Sequence, residues 1–198
     1  TPLIFVPSMH SDLFDDPVTS EILSQLSSEG SHVIIDHEKE GKIKQPSHIR
    51  IVAEFSNILN SDLPNRKRIA ITLGSNIAPI DDVRSIINHS TGTTGWSISE
   101  YLYRMGHDVF CIAGRTQYYP NFNLPKVKYT EHPIEMLEEA VNISSSFSPE
   151  VWIFSAAVLD YLPTPIKGKI PSSEEGTQIK LAPTQKHIPV ILKATGQC

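Results

Sequence analysis

Residues 68 to 95 constrain the fold more than any other stretch, because a short β-branched apolar run there breaks abruptly into a long polar loop. Ile69, Ile71 and Leu73 alternate with smaller residues and stop at Gly74, the signature of a strand buried on both faces of a parallel sheet. The loop that follows is about twice the usual two to six residues of a βα connection. Its second half, Asn88-His89-Ser90-Thr91-Gly92-Thr93-Thr94-Gly95, is rich in hydroxyl and amide side chains. Strand, loop and helix in that order present backbone N–H groups to an anion such as a phosphate. The same residues also suit a plain helix cap.

The alternation continues on both sides. A helix is expected over 93–105 with Ile98, Leu102 and Met105 inward, a strand over 107–113, and a loop over 114–129. A helix over 133–144 with Ile134, Leu137 and Val141 inward and a strand over 151–155 follow. This β-α-β-α-β order is that of a parallel sheet covered by helices on both faces. Upstream, a strand at 3–7, a helix from Pro17 to Gly30 with Val18, Ile22 and Leu26 as its stripe, a strand at 32–36 and a helix over 46–59 give a short β-α-β-α segment. Two strands do not make a self-sufficient sheet, so this segment is expected to belong to a larger domain. The polar stretch between the two reads as a linker over 61–68.

Composition narrows the function classes. The net charge of −5 offers no basic surface for nucleic acid or an anionic membrane. No apolar run is long enough to span a bilayer and no signal peptide is visible, so the cytoplasm is the expected location. Cys111 and Cys198 make no metal spacing, and Cys111 reads as a small core residue. No Gly-x-Gly-x-x-Gly follows the first strand of the alternation, which argues against a nicotinamide dehydrogenase.

The order Gly-Ser-Asn-x-x-Pro-Ile-Asp-x-Val-Arg-x-Ile-x-Asn-x-Ser-x-Gly-x-x-Gly, Gly74 to Gly95, resembles the nucleotide and substrate loop of the phosphopantothenoylcysteine synthetases. In that family Gly-Thr stands at Ser75-Asn76 and a second Ser at Thr91. Ala156-Ala157-Val158-Leu159-Asp160-Tyr161, followed by Lys169-Ile170, is similar to the family's second strand-end motif and its lysine-bearing flexible loop. Gln178 to Ile188 is loosely similar to the family's nucleotide-contacting turn, with Gln185 at its proline and Lys186 at a contact position. Pro7-Ser8-Met9-His10-Ser11-Asp12-Leu13-Phe14 is similar to the substrate motif of phosphopantothenoylcysteine decarboxylases, and Glu40 to Lys44 to the turn of their archaeal type.

The resemblance implies a Rossmann-like domain over 69–198, C-terminally incomplete, preceded over 1–60 by the last part of a decarboxylase-like flavoprotein domain. It implies a phosphopantothenate–cysteine ligase of coenzyme A assembly, fused to that decarboxylase portion and using CTP with Mg2+. The carboxylate of 4′-phosphopantothenate would attack the α-phosphate of CTP, releasing pyrophosphate, and the amine of cysteine would then displace CMP from the acyl-cytidylate.

By the same resemblance Asn88 and Lys169 are catalytic, and His10 is catalytic in a decarboxylase. Gly74, Ser75, Asn76, Asp81, Arg84, Ser90, Gly92, Ala156, Ala157, Asp160 and Lys186 bind substrate or nucleotide. Asp81 and Asp82 are candidates to hold Mg2+ indirectly, although Asp81 more naturally fixes its own loop by accepting backbone amides. No residue is expected to be a direct metal ligand. FMN is expected only with a complete decarboxylase domain, and a homodimer or higher homo-oligomer is the expected assembly. Read from the residues alone, His10 suits a loop cap, Asp160 suits a turn equally well, and Lys169 is an exposed lysine singled out by its place after Asp160. The other reading is a non-catalytic regulatory or scaffolding partner of the same pathway. The expectation that decides most is spatial: Asn88, Asp160 and Lys169 should face one cavity.

Overall fold

The computed structural model describes residues 2–36, 38–39, 42–172 and 176–196. It divides into a first unit, running to Arg66 with Leu102–His107 and Asn121–Asn123, and a second comprising Lys67–Tyr101, Asp108–Pro120 and the chain from Leu124 onward. In the first unit the elements are β1 (Ile4–Phe5), β2 (Met9–His10), α1 (Ser11–Phe14), α2 (Pro17–Ser28), β3 (His32–Val33), β4 (Glu38–Lys39), β5 (Lys42–Ile43) and α3 (His48–Asn60). β1 pairs in parallel with β3, while β2, β5 and β4 form a small antiparallel sheet. Glu40 and Gly41 of the turn that resembles the archaeal-type motif lie outside the described residues.

Local chemistry sets the helix ends here. The Asp16 carboxylate accepts the Val18 amide at 2.8 Å with Pro17 at the first helical position. Gly30, at φ +86°, ends α2 as expected, with Ser31 N–H on the Leu26 carbonyl. The expected stripe on α2 does not form: Val18 and Ile22 are 60% and 51% exposed, and Thr19, Leu23 and Leu26 are the half-buried positions. The stripe shifts because α2 rests on a two-stranded ladder too narrow to bury a full face. On α3, Val52, Phe55 and Leu59 are likewise exposed. Asn57 and Asn60 donate to the Tyr103 and Arg104 carbonyls at 2.7 and 2.8 Å, and Tyr103 Oη donates to Glu54.

The second unit contains β6 (Arg68–Leu73), β7 (Ile77–Pro79), β8 (Ser85–Ile87), α4 (Thr93–Arg104, its last turn counted with the first unit), β9 (Asp108–Ala113), β10 (Val127–Tyr129), α5 (Pro133–Ser146), β11 (Val151–Phe154), β12 (Tyr161–Pro163), β13 (Leu181–Pro183) and α6 (His187–Ala194). Its sheet is parallel throughout, in the order β10-β9-β6-β11. Residues on one face of β6 and β9, Ala70 and Ile112, pack with Met136, Ala140 and Ile143 of α5 and Ile191 of α6. The other face meets α4, where Cys111 Sγ contacts Ser99 Oγ at 3.3 Å. Burial raises the Cys111 thiol to about 11, as a small core residue requires.

Three differences from the sequence-based expectation have local causes. The loop after Gly74 is not irregular: β7 and β8 form an antiparallel hairpin inside it. The segment 114–129 ends in β10, an edge strand of only three residues. On α4 the fully buried positions are Trp96, Ser99 and Tyr103 while Met105 is 42% exposed, and on α5 Met136, Leu137, Ala140 and Ile143 are buried while Ile134 and Val141 are 49% and 38% exposed. Close approach at Gly95 sets the α4 face. A Cβ on Gly95 would lie 2.3 Å from Leu73 Cβ, so the helix descends onto β6 at its glycine and carries the adjoining Trp96 inward rather than Met105. Gly95→Ala should therefore destabilise the fold by about 1–3 kcal/mol through overpacking, seen as a lower denaturant midpoint at unchanged m-value.

Candidate functional site

Strand order reverses between β6 and β11, since the chain runs outward through β9 and β10 and then returns to the other side of β6. At such a reversal the loops beyond the carboxyl ends part and leave a crevice. A cavity of about 560 Å³ lies there, walled by Thr72 of β6, Phe154 and Ala156 at the end of β11, Asp160, and Thr184 to Pro189 at the start of α6.

Main-chain bonds fix the floor of the crevice. Ser75 exchanges two backbone hydrogen bonds with Arg115, at 2.9 and 2.8 Å, and its hydroxyl donates to the Arg115 carbonyl. Asn76 N–H donates to the Ala157 carbonyl, and Ala157 N–H to Gly74. The loops after β6, β9 and β11 are thereby laced together. Gly74 sits at φ +80°, and a Cβ on it would fall 2.8 Å from the Arg115 carbonyl, so glycine is needed for the lacing itself.

Several residues expected to contact ligand are used here by the fold. Ser75 and Asn76 are 1% and 0% exposed, and the amide hydrogens of both are already donated. Asn76 Nδ2 donates to the Glu131 carbonyl, while its Oδ1 is buried without a partner among the described residues. Gly92 is buried against Thr116, and Ser90 is half-buried in a small recess with Asn88. Asn88 Nδ2 donates to the Ala157 carbonyl at 3.1 Å, which holds Asn88 against the same strand-end loop that carries Ala156 and Asp160.

Asp160 and Lys186 form an exposed ion pair at the rim of the cavity, their side chains 63% and 71% accessible. Asn88, Asp160 and Lys169 do not line one cavity, contrary to expectation. Asp160 lines the large one, Asn88 lines the recess of about 50 Å³, and Lys169 lines neither. The reason is local. Asp81, 4% exposed, accepts the amides of Val83, Arg84 and Ile170 at 2.8, 2.7 and 3.0 Å. Asp82 accepts Gly168 N–H at 2.9 Å, and Ile166 N–H donates to the Ile80 carbonyl. The loop bearing Lys169 is thus stapled to the β7–β8 turn.

Asp81 fixes its own loop as expected, and Arg84 pairs with it at 3.3 Å and donates to the Ile170 carbonyl at 3.0 Å. The Ile170 amide, opposed by burial and aided by the Val83 and Arg84 amides, holds the Asp81 carboxyl below its ordinary value. A depressed carboxylate pKa means that the staple is in place above the ordinary carboxylate range and is lost as pH falls through the lowered value. With its oxygens so engaged, Asp81 has little left for a metal, and among the described residues no cluster of His, Cys, Asp and Glu is arranged to hold one. His10 lies in the first unit, exposed, at the N-cap of α1 with no side-chain capping bond.

From the sequence Arg115 has no expected role, and within the loosely similar 178–188 turn neither Thr184 nor His187 is singled out. His187 opens α6, is 7% exposed and lines the large cavity. Both of its ring nitrogens are buried without a hydrogen-bond partner among the described residues, as is Thr184 Oγ1. Nothing in a run such as Gln185-Lys186-His187-Ile188 announces a buried imidazole; only its position after a turn preceding a helix hints at it.

A parallel sheet with helices on both faces and a cavity at the reversal of strand order is an α/β domain of the doubly wound class. Residues 65–197 match the DNA/pantothenate metabolism flavoprotein C-terminal domain, and the chain belongs to that family. It is 30% identical over 193 residues to the coenzyme A biosynthesis bifunctional protein CoaBC of Thermococcus kodakarensis, covering 95% of this chain and 46% of that protein. It is 29% identical over 196 residues to a cysteine/cysteine sulfinic acid decarboxylase of an unknown prokaryotic organism, covering 93% of this chain and 54% of that one. Its fold is similar to the crystal structure of the C-terminal domain of a CoaBC protein, with a TM-score of 0.54 at 28% identity over 64% of this chain and 58% of the other. The chain spans about half the length of these curated relatives. Among the described residues no helix is long and apolar enough to cross a membrane.

His187 supplies a direct check on the wall of the cavity. Burial lowers its pKa from the ordinary 6.5, partly offset by the nearby Pro133 carbonyl. The unfolded chain therefore binds the proton first, and stability should fall as pH drops below about 6.5 toward the lowered native value. His187→Leu should be about 1 kcal/mol more stable at neutral pH, since it removes a buried imidazole whose nitrogens are poorly satisfied, the Pro133 carbonyl lying near but outside good hydrogen-bond geometry. Its melting temperature should also fall less than the parent's between about pH 7.5 and about pH 5.5.

Proposed function

We propose that the chain carries the phosphopantothenate–cysteine ligase domain of a coenzyme A biosynthesis protein, working in the cytoplasm as a homodimer or higher homo-oligomer. The observation that carries this reading is the large cavity at the strand reversal, with small Ala156 at its wall and the Asp160–Lys186 pair at its rim. An acceptor beside a donor suits the edge of cytosine, whose exocyclic amino group donates next to ring acceptors. Ala156 and Ala157 leave room for a base against the strand end. CTP would bring its own Mg2+ on its phosphates, consistent with the engaged Asp81.

In this reading the acyl-cytidylate forms when the substrate carboxylate attacks the α-phosphate, and the protein has two electrostatic tasks. One is to neutralise charge growing on the phosphate, for which Lys169 is the candidate. Its loop would have to swing from the β7–β8 turn by giving up the Gly168 and Ile170 amide bonds to Asp82 and Asp81. The other is to polarise the acyl carbonyl when the cysteine amine attacks, for which Asn88 has a second N–H beyond the one given to Ala157. The first unit is proposed to be the final part of a decarboxylase-like domain, with His10 in its substrate loop. FMN is proposed only for a longer protein holding that whole domain.

A second reading, a non-catalytic partner of the same pathway, is favoured by one observation: the Ser75 and Asn76 amides are not free to cradle a triphosphate. Pyrophosphate release separates the two. With CTP and 4′-phosphopantothenate the ligase should release pyrophosphate even without cysteine. Asn88→Ala should slow the complete reaction by about 10²-fold, the usual cost of one transition-state donor. No release under any condition would leave the non-catalytic reading, and undiminished turnover in Asn88→Ala and Lys169→Ala would remove both residues from the mechanism.

A further inference from the structure

Beside the large cavity is a second, smaller feature of different chemistry. The recess of about 50 Å³ is lined by Asn88, His89, Ser90, Arg115, Thr116 and Gln117, together with Ser75 and Ile87. The residues around it supply amides, hydroxyls, the His89 imidazole and the Arg115 guanidinium, and no carboxylate. That space takes a few waters or one tetrahedral anion, and a nucleoside does not fit.

The fold delivers Arg115 to this place without choice. Its main chain is locked to Ser75 by the reciprocal pair of hydrogen bonds, and the next turn is held where Gln117 and Tyr118 donate to the Thr91 carbonyl at 3.1 and 3.4 Å. Gly92, at φ +77°, makes the approach possible, since a Cβ there would lie 2.4 Å from Thr116 Cγ2. The side chain itself is exposed, and its guanidinium has no ion-pair or hydrogen-bond partner among the described residues. Arg84, Arg50 and Lys126, by contrast, are all spent on carboxylates. A fixed backbone, a free planar fork of donors and a carboxylate-free pocket of hydroxyls and amides are what bidentate recognition of a phosphoryl group needs.

We propose that Arg115, with Ser90, binds a phosphoryl group in this recess, next to the cavity assigned to the base. Which phosphoryl group depends on the ligase reading: it belongs either to the phosphorylated acid or to the nucleotide. Either way Arg115 is a binding residue that selects phosphorylated over dephosphorylated ligand.

Calorimetry on the whole chain and on Arg115→Gln and Arg115→Lys, with 4′-phosphopantothenate, pantothenate and CTP as ligands, separates the possibilities. Arg115→Gln should weaken 4′-phosphopantothenate at least about 10-fold, leave pantothenate unchanged, and be partly rescued by Arg115→Lys. A loss confined to CTP supports the recess and assigns it to the nucleotide. Equal affinity of Arg115→Gln and the parent for both phosphorylated ligands, at equal melting temperature, overturns the proposal. If the parent binds neither CTP nor 4′-phosphopantothenate, it is the ligase reading that fails, and titration with inorganic phosphate still decides the recess. A shift of the Arg115 Nε–H resonance on adding phosphate supports it, and no shift overturns it.

Discussion

Ser75 is the residue on which the rest of the second unit depends. Its buried backbone is bonded to Arg115 on one side, and Asn76 and Gly74 are bonded to Ala157 on the other. Each such bond adds about 1 kcal/mol net, but leaving any of these buried groups unpaired would cost about 1–3 kcal/mol. Three loops from three strand ends therefore have one low-energy arrangement. The mouth of the sheet is set before any ligand arrives, and the cavity and the recess occupy fixed positions on either side of the Ala157 segment.

That lacing divides the chemistry. On the β11 side the walls are apolar, with Phe154, Ala156, Val158 and Leu159, and polar groups gather at the rim. On the β9 side the recess is polar and carries a free cation. A ligand with a flat, partly apolar base and a charged tail matches the pair better than it matches either alone. The β7–β8 turn stands apart, engaged by Asp81 and Asp82 with the loop that bears Lys169. Charge-assisted backbone bonds of this kind hold a loop firmly at neutral pH, yet they are few enough to be exchanged for contacts to a bound anion.

The strands most legible in the sequence were those with β-branched runs bounded by glycine, β6 and β9, because burial on both faces demands such runs. The loop after Leu73 was legible from its length and the strand end after Phe154 from its motif alone, while the reversal of strand order between them comes from the pairing of β6 with both β9 and β11. Helix faces were less legible. Gly95 and Ser99 set the buried side of α4, and Ala140 sits at the centre of the buried side of α5; small residues carry little hydropathy signal. The hairpin within the first loop was hidden because Pro79 and the Asp81-Asp82 pair read as turn chemistry, which they also are. Within the site, Asp160, Ala156 and Asn88 were placed near the reversal by motif order. The engagement of Ser75 and Asn76 by backbone carbonyls depends on pairings with residues 40 and more than 80 positions away, and no local pattern encodes those. Arg115 and His187 were silent for the same reason: their significance comes from what folds against them.

The central claim is that ligand binds at the reversal between β6 and β11, on the two sides of the Ala157 loop. Backbone amide chemical shifts recorded while CTP is added to the whole chain test it most directly. Perturbations concentrated at Thr72, at 156–160 and at 184–188, with a second group at 88–92 and 115–117, are the predicted result. Shifts confined to the β10 edge or to the first unit, with those segments unmoved, would contradict it.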